Sequence, residues 1–251
     1  MYRYALLGLV QGLTEFLPIS SSGHLLLAQH LLGVDPPGLA LEGVVHLATM
    51  AAVVIYFRGE LWRLVAGVLR GRAERHYLGL LVVAALPAGG AGWLLKAQLE
   101  WAFSSLSLTG AMFLLTAGVL SLSRLQRGAP QAPSLRHALA VGLSQVVSLF
   151  PGASRSGLTI SVGILSGLSP REAAQFSFLL SLPLIAGAGA VALAQAPPGE
   201  ASAPGLGVAG LFAFASGLLA IHVLLRVVAR GRLGAFAIYC VALGGLAFAL
   251  A

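Results

Sequence analysis

Two short segments of the sequence carry side chains that could act together on a phosphate group. The acid, hydroxyl, imidazole and guanidinium groups concerned belong to Glu15, Ser20, Ser21, Ser22, His24, Ser154, Arg155 and Ser156. Arginine offers a planar fork of donors that fits phosphate oxygens, and a serine becomes a nucleophile when a histidine or carboxylate can take its proton. If the fold brings the two segments together, they predict an anion-binding site with a nucleophile and a general base.

Two structural alternatives remain open at these residues. A serine-rich turn commonly caps a helix, because a serine hydroxyl accepts a hydrogen bond from a free backbone amide. Glu15 and Arg155 could likewise form a single buried ion pair that braces two loops. That pair alone would leave His24 and the serines unexplained, so the catalytic interpretation is favoured.

The composition places these residues in a membrane. Of the 251 residues, 58% are hydrophobic and 9% are charged, whereas soluble proteins have about 25% charged residues. The mean hydropathy of +0.91 excludes a soluble globule and predicts an integral membrane protein. Cys240 is the single cysteine, which excludes an intramolecular disulfide and a cysteine-based metal site.

The apolar stretches predict six membrane spans and two interrupted segments. The spans are expected at residues 40–57, 77–95, 106–123, 173–193, 206–225 and 234–251. The interrupted segments, 2–32 and 137–168, break at Pro18 and Pro151. Each half is roughly 15 to 24 Å of helix, too short for a hydrocarbon core of about 30 Å. Both are therefore predicted to be re-entrant helix-loop-helix hairpins, and broken backbone at membrane depth is typical of functional sites.

The two hairpins also align with one another. Subtraction of their positions, 154 − 20 = 134, gives an offset that pairs several identical residues. The pairs are Ser20 with Ser154, Ser22 with Ser156, Gly23 with Gly157, Leu31 with Leu165, Gly33 with Gly167, and Pro36 with Pro170. Proline, serine and glycine that recur in register indicate an internal duplication. We expect a single polytopic membrane domain, 1–251, with repeat one at about 1–123 and repeat two at about 137–251.

The arginines predict how the chain is oriented. They cluster at 58–75, 124–136 and 226–232, between apolar stretches, as in loops that face anionic lipid on the cytoplasmic side. Membrane lipid, and not nucleic acid, is therefore the expected partner of the basic residues. With both hairpins re-entrant, every basic loop lies inside, both termini lie outside, and the two repeats have inverted topology. Residues 58–76 are expected to form a helix on the inner surface.

Two motifs resemble a known family. Residues 11–25, QGLTEFLPISSSGHL, and residues 151–157, PGASRSG, are similar to the signature motifs of bacterial undecaprenyl-diphosphate phosphatases, the bacitracin-resistance family. Residues 46–49, 176–183 and 226–239 resemble the family as well, so the likeness covers essentially the whole chain. It implies removal of the terminal phosphate from undecaprenyl diphosphate, which recycles the lipid carrier for peptidoglycan synthesis and confers bacitracin resistance.

The resemblance also implies roles for individual residues. Ser21 would be the nucleophile, Glu15 the acid of the motif, His24 a general acid/base or phosphate contact, and Arg155 the diphosphate clamp. The supporting substrate-binding residues would be Gln11, Ser20, Ser22, Ser154, Ser156 and Gly157. The site would open to the outer face of the bacterial cytoplasmic membrane.

A divalent cation, Mg²⁺ or Ca²⁺, is also implied by the resemblance, but its ligands are not assigned. Some members have glutamate where this chain has Gln11, so Glu15 is the one candidate ligand of this pair. The expected partner molecule is a polyprenyl diphosphate lipid, and a homodimer is left open.

A second class of function is also considered. Inverted repeats whose broken helices meet at the membrane midplane also build secondary transporters. A carrier or flippase for an anionic lipid would use Arg155, but it would not need a serine, a histidine and a glutamate in one loop. The enzyme is favoured for that reason, and a phosphatase that also moves its product stays open.

Overall fold

Every regular element in the described part of the chain is a helix. The computed structural model describes residues 1–32, 38–69, 71–125, 131–200 and 202–251. The helices are α1 Tyr2–Phe16, α2 Ser21–Leu32, α3 Leu39–Tyr56, α4 Arg58–Val68, α5 Arg72–Leu94, α6 Lys96–Ala102, α7 Leu106–Leu122, α8 Leu135–Val147, α9 Arg155–Ser166, α10 Pro170–Gln195, α11 Ala203–Ala229 and α12 Gly234–Ala249. Gly33 and Pro36 of the predicted repeat, and Arg70 and Arg127 of the basic loops, lie outside the described residues.

Five of the six predicted spans form helices that are long and apolar enough to cross a membrane. They are α3, α5, α10, α11 and α7 together with the 3-10 turn Ser123–Leu125 that extends it. The helices α5 and α10 begin a few residues before the predicted spans, because helical backbone continues past the apolar core into the polar residues at 72–76 and 171–172. The sixth, α12, is apolar but has only 16 residues, about 24 Å of helix.

The chain leaves helical geometry at both interruptions. After α1, Ser20 adopts φ +63°, and its hydroxyl accepts a hydrogen bond from the amide of Gly23 at 3.3 Å to cap α2. After α8, Ser154 caps α9 in the same way through the amide of Gly157 at 3.1 Å. Because a capped helix start must be preceded by non-helical backbone, these serines fix where the second half of each segment begins.

Small residues let four pairs of helices approach closely: α1 with α11, α8 with α5, α3 with α10, and α7 with α12. A side chain at Gly8 on α1 would overlap the carbonyl oxygen of Ala209 on α11. A Cβ at Gly142 on α8 would lie 2.7 Å from the carbonyl oxygen of Ala84 on α5. Close backbone approach through small residues is the usual basis of helix association in lipid, where apolar contact alone gives no preference.

The other two pairs meet glycine to glycine. A Cβ at Gly43 would lie 3.0 Å from the carbonyl oxygen of Gly189, and one at Gly189 would lie 3.2 Å from that of Gly43. Gly110 and Gly244 are related in the same way, at 3.1 Å in each direction. Each of these contacts joins a helix of the first half to a helix of the second.

The arginine-bearing segments come together at one end of the helices. Residues from the end of α3, the start of α4, the start of α10 and the end of α11 line one pocket, which includes Arg63 and Arg171. The connection 196–205, which has no arginine, meets the starts of α3 and α1, where the amide of Ala40 donates to Glu200 at 2.7 Å and Tyr4 contacts Gly205. Within the predicted surface segment, α4 buries Leu64 while Trp62 and Val65 are largely exposed.

We expect Gly8→Ala to lower the free energy of unfolding by about 1 to 3 kcal/mol, since the new methyl group would force α1 away from α11. The matched control is Gly207→Ala on α11, where a Cβ meets open space and the substitution should be neutral or stabilising. Denaturant unfolding of both variants in detergent micelles measures the difference. Equal stability of the two variants would contradict the close packing of α1 on α11.

Candidate active site

The loop between α1 and α2 touches the loop between α8 and α9. A Cβ at Gly23 would lie 2.9 Å from the Cα of Gly152, and one at Gly157 would lie 3.2 Å from the Cβ of Pro18. The Ser156 hydroxyl donates to the carbonyl of Leu17 at 3.2 Å. The two polar segments predicted to meet therefore do so.

Glu15 is the centre of the polar contacts between the loops. Its Oε1 accepts from Nη2 of Arg155 in an ion pair, and its Oε2 accepts from the Ser21 hydroxyl at 3.0 Å and from Nε2 of Gln11 at 3.1 Å. The side chains of Glu15 and Arg155 are only 7% and 15% exposed. A nearly buried carboxylate thus contacts a cation, a hydroxyl and an amide at once.

The serines divide into two groups by their contacts. Ser20 and Ser154 are helix caps, and Ser22 and Ser156 lie beside them with hydroxyl separations of 3.3 and 3.4 Å. Ser21 instead donates to the carboxylate of the site. The capping alternative therefore accounts for two serines, while Ser21 is placed where a base can take its proton.

His24 lies against a different helix. Its Nδ1 is 2.7 Å from the carbonyl of Ser20, its Nε2 is 2.8 Å from the Tyr239 hydroxyl on α12, and its ring meets Phe113 edge to face. Within the described ranges, the structure records no hydrogen bond from His24 to Ser21 or Glu15. The sequence analysis did not single out Tyr239, which lies in the stretch 226–239 that resembles the family and places a hydroxyl within an apolar helix.

Two helix N-termini point into the site. Ser21 is the first residue of α2 and Arg155 is the first residue of α9. The first backbone amides of a helix have no partner within it, and the helix dipole places partial positive charge there. Converging N-termini beside a guanidinium favour an anion with several oxygens, such as a phosphate.

The site opens into a long apolar cavity of about 1170 Å³. Its lining includes Glu15, Arg155 and His46, and otherwise consists mainly of apolar residues from α4, α5 and α10. Along α5 the lining runs from Leu78 to Gly92, a rise of about 21 Å. A polar end and an apolar length of this size suit an amphiphile with an anionic head.

Comparison with known proteins identifies the family. The family model described as bacitracin resistance protein BacA matches residues 4–246. The chain belongs to the BacA family. Curated relatives of this BacA-family chain include undecaprenyl-diphosphatases from Syntrophotalea carbinolica, 44% identical over 98% of this chain and 97% of the relative, and from Rubrobacter xylanophilus, 42% identical over 100% and 98%. Another, from Thermosipho africanus, is 36% identical over 98% of both chains. The family identified from the sequence motifs is confirmed.

The side chains of this BacA-family site do not by themselves form a cation site. Across the parts of the chain that the structure describes, no three histidine, cysteine, aspartate or glutamate side chains come together in a way that could hold a metal ion. Both carboxylate oxygens of Glu15 already accept hydrogen bonds, and Gln11 turns its amide nitrogen towards them. Mg²⁺ and Ca²⁺ need several oxygen ligands, more than these residues present.

We expect Arg155→Ala to lower the free energy of unfolding by on the order of 3 kcal/mol, because it leaves the buried Glu15 carboxylate without its cation. The double variant Glu15→Gln with Arg155→Ala should recover most of that loss. Chemical unfolding at neutral pH measures both.

The control for this pair is Arg63→Ala, which breaks the exposed ion pair with Glu60 and should cost less than about 1 kcal/mol. An Arg155→Ala variant as stable as Arg63→Ala would show that the Glu15–Arg155 pair does not hold the two loops.

Proposed function

We propose that this protein hydrolyses undecaprenyl diphosphate to undecaprenyl phosphate and inorganic phosphate. The single observation that carries the proposal is the Glu15 carboxylate held between Ser21 and Arg155 at the polar end of the apolar cavity. The names of the curated relatives support the choice of substrate. The product is the lipid carrier that peptidoglycan synthesis reuses, and its recycling would counter bacitracin.

Binding of the diphosphate would rest on Arg155 and the two helix N-termini. Arginine has five N–H donors, so the contact with Glu15 leaves others for phosphate oxygens. The first amides of α2 and α9 would add further donors. The supporting substrate contacts would come from neighbouring residues of the same segments, namely Ser22, Ser156, Gly157 and Gln11. Donors fixed in advance stabilise the charge that develops during phosphoryl transfer.

The chemical step would use the contact between Ser21 and Glu15. The Ser21 oxygen attacks the terminal phosphorus while its proton passes to Oε2 of Glu15. The bond from that phosphorus to the bridging oxygen breaks, and undecaprenyl phosphate leaves with the bridging oxygen. Water then hydrolyses the phosphoserine and regenerates the hydroxyl. In the alternative route, Glu15 activates a water that attacks directly and Ser21 only positions it.

The apolar cavity would take the polyprenyl chain. Its lining by α5 and α10 leads away from Glu15 and Arg155 as far as the residues of α4. A long tail could then stay in an apolar environment while its diphosphate reaches the buried loops. A requirement for Mg²⁺ or Ca²⁺ also remains part of the proposal, with the substrate phosphates as the natural source of further oxygen ligands.

We further propose that the fold is an inverted repeat with both loops at membrane depth. The offset of 134 that aligns the hairpins also relates Gly8 to Gly142 and Gly110 to Gly244, and these glycines occupy corresponding helix contacts. Pairing of α1 with α11 corresponds to pairing of α8 with α5. This correspondence supports two repeats of inverted topology.

We also propose an orientation in the membrane. The described arginine-rich ends lie together, which supports placing that end in the cytoplasm and both termini outside. The proposed setting is the cytoplasmic membrane of a bacterium, with the diphosphate reaching the site from the outer face.

The first test is phosphate release from undecaprenyl diphosphate by the detergent-purified protein, with and without EDTA. We expect Glu15→Ala and Arg155→Ala to lose at least about a hundredfold in turnover, the scale of removing a transition-state contact. Ser144→Ala is the matched control, because among the described residues the Ser144 hydroxyl donates to the backbone of its own helix alone. EDTA should also abolish release.

Ser21→Ala then separates the two chemical routes. Loss of turnover, together with a phosphorylated intermediate trapped from labelled substrate only in the unsubstituted protein, would establish the serine as nucleophile. Retained turnover would favour water. No release from folded, lipid-supplemented protein would instead favour a transporter or flippase, and movement of the lipid in liposomes would be measured next.

We expect Val82→Trp on α5 to lower kcat/KM for undecaprenyl diphosphate by about tenfold relative to farnesyl diphosphate. The indole would fill part of the cavity that takes the longer chain, and a tenfold loss corresponds to about 1.4 kcal/mol of binding free energy. Val223→Trp on α11 is the control, since Val223 is exposed but does not line the cavity. An equal loss for both substrates would contradict the assignment of the cavity to the polyprenyl chain.

A further inference from the structure

Both ring nitrogens of His24 are engaged by groups that determine its tautomer. The carbonyl of Ser20, 2.7 Å from Nδ1, can only accept, so Nδ1 carries the proton. In the neutral ring Nε2 is then an acceptor, and the Tyr239 hydroxyl at 2.8 Å donates to it. The two rings lie nearly parallel, at 15°.

We propose that Tyr239 is a positioning residue that holds the loop presenting Ser21 by acting through His24. The connection runs from the Tyr239 hydroxyl on α12 to the His24 ring, and from that ring to the carbonyl of Ser20, the residue before Ser21. The role rests on the proposed function, because its purpose is to keep the Ser21 hydroxyl on Glu15.

The loop needs such a restraint because of its backbone. Ser20 has φ +63°, a region that disfavours residues with a side chain. Its carbonyl is held twice by His24, through the ring and through the backbone amide at 3.2 Å. The next residue of α12, Cys240, contacts the carbonyl of Pro18 at 3.5 Å. One turn of α12 therefore touches the loop at two points on either side of its bend.

This geometry argues against His24 as the base that takes the Ser21 proton. The Ser21 hydroxyl donates to Glu15, while both His24 nitrogens face other groups. His24 thus supports the loop from outside the Glu15–Arg155 contact, and Glu15 is the group in position to accept the proton.

The experiment compares Tyr239→Phe with the unsubstituted protein in lipid nanodiscs. With nitrogen-15 in the histidine rings, we expect a single Nδ1–H tautomer at His24 and a clear shift of its Nε2 resonance in Tyr239→Phe. Turnover of undecaprenyl diphosphate should fall by roughly ten- to a hundredfold, the scale of a displaced reacting group, with KM changed less than about twofold. The matched control is Tyr56→Phe, which removes the 3.2 Å hydrogen bond between Tyr56 and His222. It should change neither the His24 resonances nor the turnover.

A second variant tests the proposal by changing His24 instead of Tyr239. His24→Asn retains an amide donor in the place of Nδ1, which can still reach the Ser20 carbonyl, but it cannot reach Tyr239. We expect it to lose as much turnover as Tyr239→Phe, and the double variant to lose no more than either, as for residues that act in series.

Additive losses in the double variant, or a Tyr239→Phe protein with unchanged turnover or unchanged His24 resonances, would overturn the proposal. Absence of phosphate release from the unsubstituted protein would overturn the proposed function instead. The ring resonances would still decide whether Tyr239 holds His24.

Discussion

The buried ion pair between Glu15 and Arg155 links the two interrupted segments where their helices break. Each charge would be costly to bury alone, so the carboxylate and the guanidinium must stay together or each must find another partner. An anionic head group is such a partner for Arg155, and the proton of Ser21 is one for Glu15. Under the proposed function, a diphosphate would share the Arg155 guanidinium with Glu15, which would link substrate binding to the group that takes the Ser21 proton.

The two loops share a backbone design but differ in their chemistry. Both use an N-cap serine, and a glycine three residues later packs against the opposite loop. At the offset of 134, however, Ser21 corresponds to Arg155 and Glu15 to Leu149. One loop therefore carries the acid and hydroxyl, and the other carries the cation. Two loops of similar backbone thus build an asymmetric site.

The features that depend on local sequence could be predicted, whereas those that depend on helix rotation could not. Proline, serine and glycine interrupt helices through local geometry, so both interruptions followed from the pattern, whereas the meeting of the two loops was expected from the alignment of the two segments as repeats. The cost of burying a charge likewise favoured the contact of Glu15 with Arg155. The contact of His24 with Tyr239 depends on how α12 is turned against α2, which no local pattern reports. Which serines cap helices and which one meets the carboxylate was also settled only by the backbone at Ser20.

Each half of the chain packs against helices of the other half, which affects the order in which the structure can assemble during synthesis. The glycine face of α1 is covered by α11, and the bend before Ser21 is held from α12, so neither is complete until α11 and α12 have been synthesised. Conversely, α5 is synthesised long before the α8 that it covers. The contacts that hold α1 and the bend before Ser21 are therefore made only after the second half of the described helices has been synthesised.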